Sequence, residues 1–329
     1  MRLRNSLLSL LSVLCVAPAF AGWQYDGYYV DDSYYTEDNT KFVIGFRGGL
    51  SWANAKIQNN VGNLEADYYY NTYDGSVLSG IAYDIYLDRG GDATDWVYAG
   101  SGDLSSLPAN GKFSKWAFTA GANIGFTVPY HPNWRLEAAY DHIAETDYNK
   151  IPLFKGDVTV TGGDVEGAIP VSSGGVTSTV STDIVSAMVY YDFFDGKGKP
   201  SNTIIPYIGL GVGYATSKTT LKLADIYGDL SDDSDLQNYG GLDANGIIQF
   251  TPPSDKSKYP TSENVAGIAA LGISYGIAEY TFIDLGARVI YIPKITWNLV
   301  NADGSQHREW FSAKNMIYSN FTVGLRFEF

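Results

Sequence analysis

Ten charged residues stand at alternate positions of segments whose other phase is apolar: Arg47, Lys115, Arg135, Arg288 and Arg326 against Glu137, Asp141, Asp192, Asp284 and Glu328. Five cations face five carboxylates. Held away from water, each would be costly alone, so near-equal numbers point to ion pairs across an interior. If water reaches them, the same residues line a narrow ionic path.

Catalysis asks for more. The histidines are His131, His142 and His307, and a base needs its orienting acid on the same side of the chain. Asp141 and His142 are neighbours and on a strand point to opposite faces. His131 sits beside a proline in a turn, and His307 lies in a loop near Arg308 and Glu309. Neither a lipid A deacylase set of His, Ser and Glu nor the facing acid and His of an omptin-like cleft is present, so the sequence is read as that of a non-enzyme, with no cofactor and no metal. Gly209, Gly211 and Gly213 match GxGxG, but a dinucleotide fingerprint needs a strand, a turn and a helix. Here they alternate on one phase, making room for opposing side chains. Gly196 to Lys199 lacks the spacing of a phosphate loop. Asp229, Asp232, Asp233 and Asp235 could attract calcium, but counted from Asp233 an EF-hand would need glycine and glutamate where Asn238 and Ala244 stand.

The elements that position the ten charges are strands. In the last segment, Phe321, Val323, Leu325, Phe327 and Phe329 share one phase of a two-residue period; Asn320, Thr322, Gly324, Arg326 and Glu328 share the other. A barrel in lipid turns the apolar phase outward and the polar phase to the lumen. The same alternation recurs at Phe42–Ala53, Lys115–Val128, Trp134–Ile143, Ile184–Phe193, Ile204–Ala215, Val265–Ile277 and Thr281–Trp297, which with the closing strand predicts an all-β, antiparallel transmembrane barrel of eight strands. Short turns alternate with external loops expected at about 54–112, 144–181, 216–263 and 298–314. Val77 to Leu87 could form a strand above the membrane or cross it, and the segment VTVTGGDV could be a hairpin. Trp52, Trp116 and Trp297 fall at external strand ends and Trp134 at the opposite one, as interfacial aromatics would.

Residues 1–21 have the form of a signal peptide: Arg2 and Arg4, an apolar run from Leu7 to Val16, and Ala19-Phe20-Ala21 as the cleavage site. Residues 22–41 read as a polar periplasmic tail and 42–329 as the barrel. The lone cysteine, Cys15, goes with the signal, so no disulfide or thiolate site follows. The signal carries two of 22 basic and none of 36 acidic residues. The acidic remainder argues against nucleic acid. A mean hydropathy of −0.11 suits strands that show lipid only at every second residue. Tyr68, Tyr69, Tyr70, Tyr73, Tyr83 and Tyr86 give the first loop an adaptable aromatic surface.

The arrangement resembles the small outer-membrane barrels of the OmpA transmembrane, OmpX and opacity type. Its nearest likeness is to Omp25/Omp31-like surface barrels, through MVYYDFF (Met188 to Phe194), IPYIGLGVGYA (Ile205 to Ala215) and the terminal VGLRFEF. The long first loop departs from that pattern. The resemblance implies a surface antigen of the Gram-negative cell envelope, with a lumen plugged by charge and a C-terminal assembly signal in Phe321 to Phe329. The implied partners are outer-membrane lipid and lipopolysaccharide, the barrel-assembly machinery, and host or cell-surface ligands met by the loops. A small porin is the alternative, and a loop-borne lipid A or peptide hydrolase a third reading.

Overall fold

The computed structural model describes residues 40–59, 65–79, 83, 87, 90–103, 106–107, 109–150, 152, 154–162, 167–173, 175–194, 201–224, 240–242, 248–250, 261–300 and 306–329. The expected signal sequence (1–21), all but the last two residues of the expected tail (22–41), Gly196 to Lys199 and the acidic run from Asp229 to Asp235 lie outside them.

The strands, in chain order, are β1 (Phe42–Asn59), β2 (Glu65–Asn71), β3 (Val77–Ser79), β4 (Trp96–Asp103), β5 (Gly111–Val128), β6 (His131–Lys150), β7 (Phe154–Gly162), β8 (Gly167–Ser173), β9 (Gly175–Asp192), β10 (Ile204–Ala224), β11 (Gly240–Leu242), β12 (Ile248–Phe250), β13 (Thr261–Ala278), β14 (Thr281–Val300) and β15 (Gln306–Glu328). Eight of them close an antiparallel barrel in the order β1-β15-β14-β13-β10-β9-β6-β5. Its ends are joined by the terminal residue: Phe42 and Phe329 exchange two backbone hydrogen bonds of 2.9 Å. Tight turns mark this lower end, at Pro129–Tyr130, where Tyr130 adopts a φ of 61°, and at Glu279–Tyr280.

The apolar outer face is a belt, not the whole wall. On β1 the exposed large apolar side chains run from Phe42 to Trp52, and along β9 from Val185 to Phe193, the residue just past its end. That is about the length a tilted strand needs to cross a hydrocarbon core, roughly 10 residues. The strands continue well beyond it, to 18–23 residues in the barrel. Much of what reads as loop in the sequence is therefore strand, including residues 54–59, 144–150, 216–224 and 306–314.

Above the belt the barrel divides. The β5–β6 ladder ends upward at Thr119–Ile143 and the β13–β14 ladder at Gly267–Tyr291, while the other six continue. Two walls result, β5-β1-β15-β14 and β6-β9-β10-β13. They face each other as the sheets of a sandwich do and bury apolar side chains between them, among them Ile57, Phe113, Val176, Val180, Ile295 and Phe311. Tyr148 of β6 packs against Phe113 of β5 across one seam. Thr296 donates its N–H to Ser262 Oγ across the other, at 3.2 Å.

A second sheet of order β3-β2-β4-β7-β8 caps this end, its Tyr68, Ala99, Phe154 and Val158 sharing one apolar cluster with the sandwich. Val77–Ser79 pairs with β2 in the cap and does not join the barrel. The first five residues of VTVTGGDV end β7, which pairs with β8; the other three lie outside the described residues.

One irregularity redirects side chains. Opposite the three residues Asn54 to Lys56 of β1, β15 uses four, Ile317 to Lys314, with Asn315 at a φ of 54°. β14 carries the matching extra residue at Pro293, since Lys294 still pairs with Lys314. On β14 and β15 the inward-facing positions are even-numbered below this bulge, as with Arg288 and Ile290, and odd above it, as with Ile295 and Trp297.

Candidate functional site

The lumen at membrane level is filled by one connected set of charges. Arg47 donates from Nε to Asp141 Oδ1 at 2.8 Å, and Arg288, from the other wall, donates from Nη1 to Asp141 Oδ2 at 2.6 Å. Arg47 Nη1 also reaches Asn123 Oδ1 at 3.1 Å, and Asn123 Nδ2 donates to Glu137 Oε2 at 3.0 Å. Glu137 pairs with Arg135, whose Nε and Nη2 grip both oxygens of Asp192 at 2.6 and 2.9 Å. Arg326 lies 3.9 Å from Asp192, donates to Asp284 Oδ2 at 3.2 Å and pairs with Glu328. Lys41 closes the chain 3.8 Å from Glu328 Oε2.

Rings line the cations: the Arg135 guanidinium lies 4.8 Å from the Tyr190 centroid and that of Arg326 4.3 Å from Phe282. The void left among these groups is about 40 Å³, bordered by Arg47, Asn123, Arg135, Glu137 and Asp284. That is room for on the order of three waters.

Nine of the ten expected charges are in this network. The exception is Lys115. It falls on the inward phase, opposite Ala53, but above Thr119 its strand has no β6 neighbour, and the side chain is exposed with no ion pair among the described residues. Lys41, read in the sequence as tail, takes its place. It continues the inward phase of Val43 and Gly45 one step below β1, at the level of Glu328, so five cations still meet five carboxylates.

Above the charges lies a layer of buried small polar residues, with Thr182 Oγ1 3.0 Å from both Ser217 Oγ and Tyr318 Oη. Above that comes the apolar sandwich. Gly209 and Gly211 make room as the sequence suggests: a Cβ would collide with the Tyr190 ring at the first and with Met188 at the second.

On the outside, Trp52, Trp116 and Trp134 are exposed at 38%, 60% and 43%. Trp297 is not: at 1% exposure it is buried between the walls, because the bulge at Pro293 reverses its phase. Phe321, Val323, Leu325 and Phe329 are exposed on the outer face, with Phe327 half-buried on the same phase.

The histidine reading needs one addition. Asp141 and His142 do diverge, but His142 Nδ1 stands 2.8 Å from Asp183 Oδ1, which also accepts from the Tyr140 hydroxyl at 2.6 Å. The pairing crosses from β6 to β9 and is invisible to sequence neighbours. No nucleophile adjoins it in the ladder: the cross-strand neighbours of His142 are Ala120 and Asp183.

In the cap, Tyr69 stacks on Tyr83 at 3.9 Å, Tyr98 meets Tyr69 edge-on at 5.7 Å, and Tyr98 donates to Asp67 at 3.1 Å. Burial, with no hydrogen-bond partner among the described residues, pushes the Tyr68 hydroxyl up to about 12.

No family model matches the chain, and no curated protein matches it. Among solved structures it is similar to outer membrane protein OprG from Pseudomonas aeruginosa, at 14% identity over 90% of this chain and 99% of that one, with a TM-score of 0.35. It is likewise similar to the outer membrane protease OmpT from Escherichia coli, at 11% identity over 91% and 99%, with a TM-score of 0.40. Ail, the attachment invasion locus protein of Yersinia pestis, is 8% identical over 86% and 99%, with a TM-score of 0.28. The fold assignment rests on the closed ladder and the apolar belt, not on these likenesses.

Proposed function

We propose that this chain is a bacterial outer-membrane surface barrel whose lumen is closed, and whose work is done in the envelope and by the face it presents outside. The observation that carries the reading is the run of paired charges from Arg288 to Lys41, bridged once by Asn123, with an apolar sandwich above it. Charges lining a path would stand in water, whereas these pair with one another and Arg135 and Arg326 lie against rings; Arg288 Nε and Nη2 and Asp284 Oδ1 make no hydrogen bond among the described residues. The small-porin reading asks the same residues to do the opposite.

The partners fit the surfaces. The apolar belt and its tryptophans meet lipid, and the outer leaflet of such a membrane supplies lipopolysaccharide. The exposed aromatic phase of the closing strand, ending in Phe329, is the feature an assembly machinery would read. Tyr73 and Tyr98 in the cap, both exposed and Tyr98 beside the Asp67 carboxylate, suit a protein or glycan ligand on another surface. In this reading the barrel is a non-enzyme.

Bacteria displaying the protein should adhere to host-cell surfaces through the cap. Tyr73→Ala with Tyr98→Ala should lower that adhesion while the barrel keeps its heat-modifiable gel mobility. Loss of the folded barrel in that variant, or undiminished adhesion, would count against a role for the cap.

A further inference from the structure

On the outer face above the belt, four lysines are consecutive cross-strand neighbours: Lys112 pairs with Lys56, Lys56 with Lys314, and Lys314 with Lys294. They cross β5, β1, β15 and β14 without interruption. Like charges directly opposite one another destabilise a sheet, and this chain has 36 acidic residues against 22 basic ones from which to draw partners. Yet Lys56, Lys112 and Lys314 are exposed and form no ion pair among the described residues.

The alignment depends on the bulge. Counted without it, Lys294 and Lys314 would fall on the inward phase; the extra residues at Pro293 and Asn315 turn both outward. Tyr291 holds this point by donating its hydroxyl to Asn315 Oδ1 at 2.8 Å.

The row spans about 14 Å across four strands. Lys56 stands four residues beyond Trp52, or about 10 Å further from the hydrocarbon along a tilted strand, and Lys294 starts just past Tyr291 at the belt edge. This is headgroup height, within reach of flexible lysine stems. Directly below, on the same strands and β13, the outer wall has a groove of about 710 Å³ lined by Gly48, Leu50, Trp116, Leu285, Ala287 and Phe321. Trp52 and Trp116, stacked at 6.3 Å, stand at its upper rim. The opposite wall differs: there Asp183, His142, Glu263 and Lys218 follow the belt, with both signs present.

We propose that the lysine row and the groove beneath it form a binding site for a phosphorylated, multiply acylated lipid of the outer leaflet, lipopolysaccharide being the abundant member of that class. The lysines take the phosphates and the groove an acyl chain. The inference rests on the outer-membrane reading above. A second copy of the chain would fill the groove but would bring no anion to the row.

The test uses the full mature barrel refolded in nanodiscs, with native mass spectrometry to count retained lipid A, dephosphorylated lipid A and inorganic phosphate. Wild type should hold one bisphosphorylated lipid A. Lys56→Gln, Lys112→Gln and Lys314→Gln together should weaken retention on the order of 100-fold. Lys218→Gln, on the opposite wall, should leave it unchanged. Independently of any variant, retention by wild type should fall steeply with added salt.

Equal retention by the triple variant, equal retention of dephosphorylated lipid, salt-independent retention, or a protein dimer in place of a lipid adduct would each overturn the proposal. So would displacement of the lipid by inorganic phosphate at equal concentration, which would mark a phosphate site without lipid. Failure of wild type to insert as a heat-modifiable barrel at all would instead overturn the outer-membrane reading.

Discussion

Arg288 and Asp141 lie 147 residues apart in the chain and 2.6 Å apart across the lumen. They tie β14 to β6, strands that are not neighbours in the barrel, and Asp141 also holds Arg47 of β1. A side chain that joins three strands through the interior fixes the barrel's cross-section as well as its charge.

Asp141→Leu should therefore destabilise the refolded barrel by about 3–5 kcal/mol in urea unfolding, because two guanidiniums lose a buried partner. Adding Arg288→Met should recover part of that loss, since the second uncompensated charge goes with it. Additive losses in the double variant would show that the two side chains are not coupled.

Brominated acyl chains should quench the fluorescence of Trp52, Trp116 and Trp134, and leave Trp297 untouched. Trp297→Phe should remove emission that bromine does not reach, whereas Trp116→Phe should remove emission that it does. Trp297→Ala should cost about 3–5 kcal/mol by opening a cavity between the walls.

Gly209→Val should overfill the lumen against Tyr190 and cost about 1–3 kcal/mol, with slower assembly followed by gel mobility. Gly267 has open space where a Cβ would stand and faces outward, so Gly267→Ala should be neutral or stabilising by about 0.5 kcal/mol.

In the cap, Tyr68 keeps its proton to about pH 12 when folded, against about 10 when exposed. Unfolding above pH 10 releases that proton, so the stability of the cap should fall as pH rises from 10 towards 12. Tyr68→Phe should remove that component of the pH dependence. It should also be neutral or slightly stabilising at pH 7, because the hydroxyl has no partner among the described residues. Proteolysis of the cap against pH would show either result.

The sequence carried the phase of each strand more faithfully than its length or height. Phe321 to Phe329 and the charges from Arg47 to Glu328 could be sorted outward and inward because a two-residue period survives any twist. Lys41 and Lys115 share the inward phase, and only the height of Glu328 in the folded barrel decides which of them is paired. Trp297 faces inward, against its spacing, because a single extra residue at Pro293 reverses everything after it, and nothing in the spacing announces a bulge. His142 and Asp183 meet by ladder register over 41 residues of separation. The extension of the strands above the belt escaped for another reason: Lys150, Thr219 and Ser312 are polar, and in a sandwich rising out of the lipid that polarity no longer means loop.

Whether the lumen is closed is answered most directly by single-channel conductance of the refolded barrel in a planar bilayer, beside a variant with Arg288→Ala and Arg326→Ala. A closed lumen predicts no steady current from the wild type, and a variant that either conducts or fails to refold. A steady wild-type current whose ion selectivity shifts in the variant would mean that the same charges line a path, and would contradict the account.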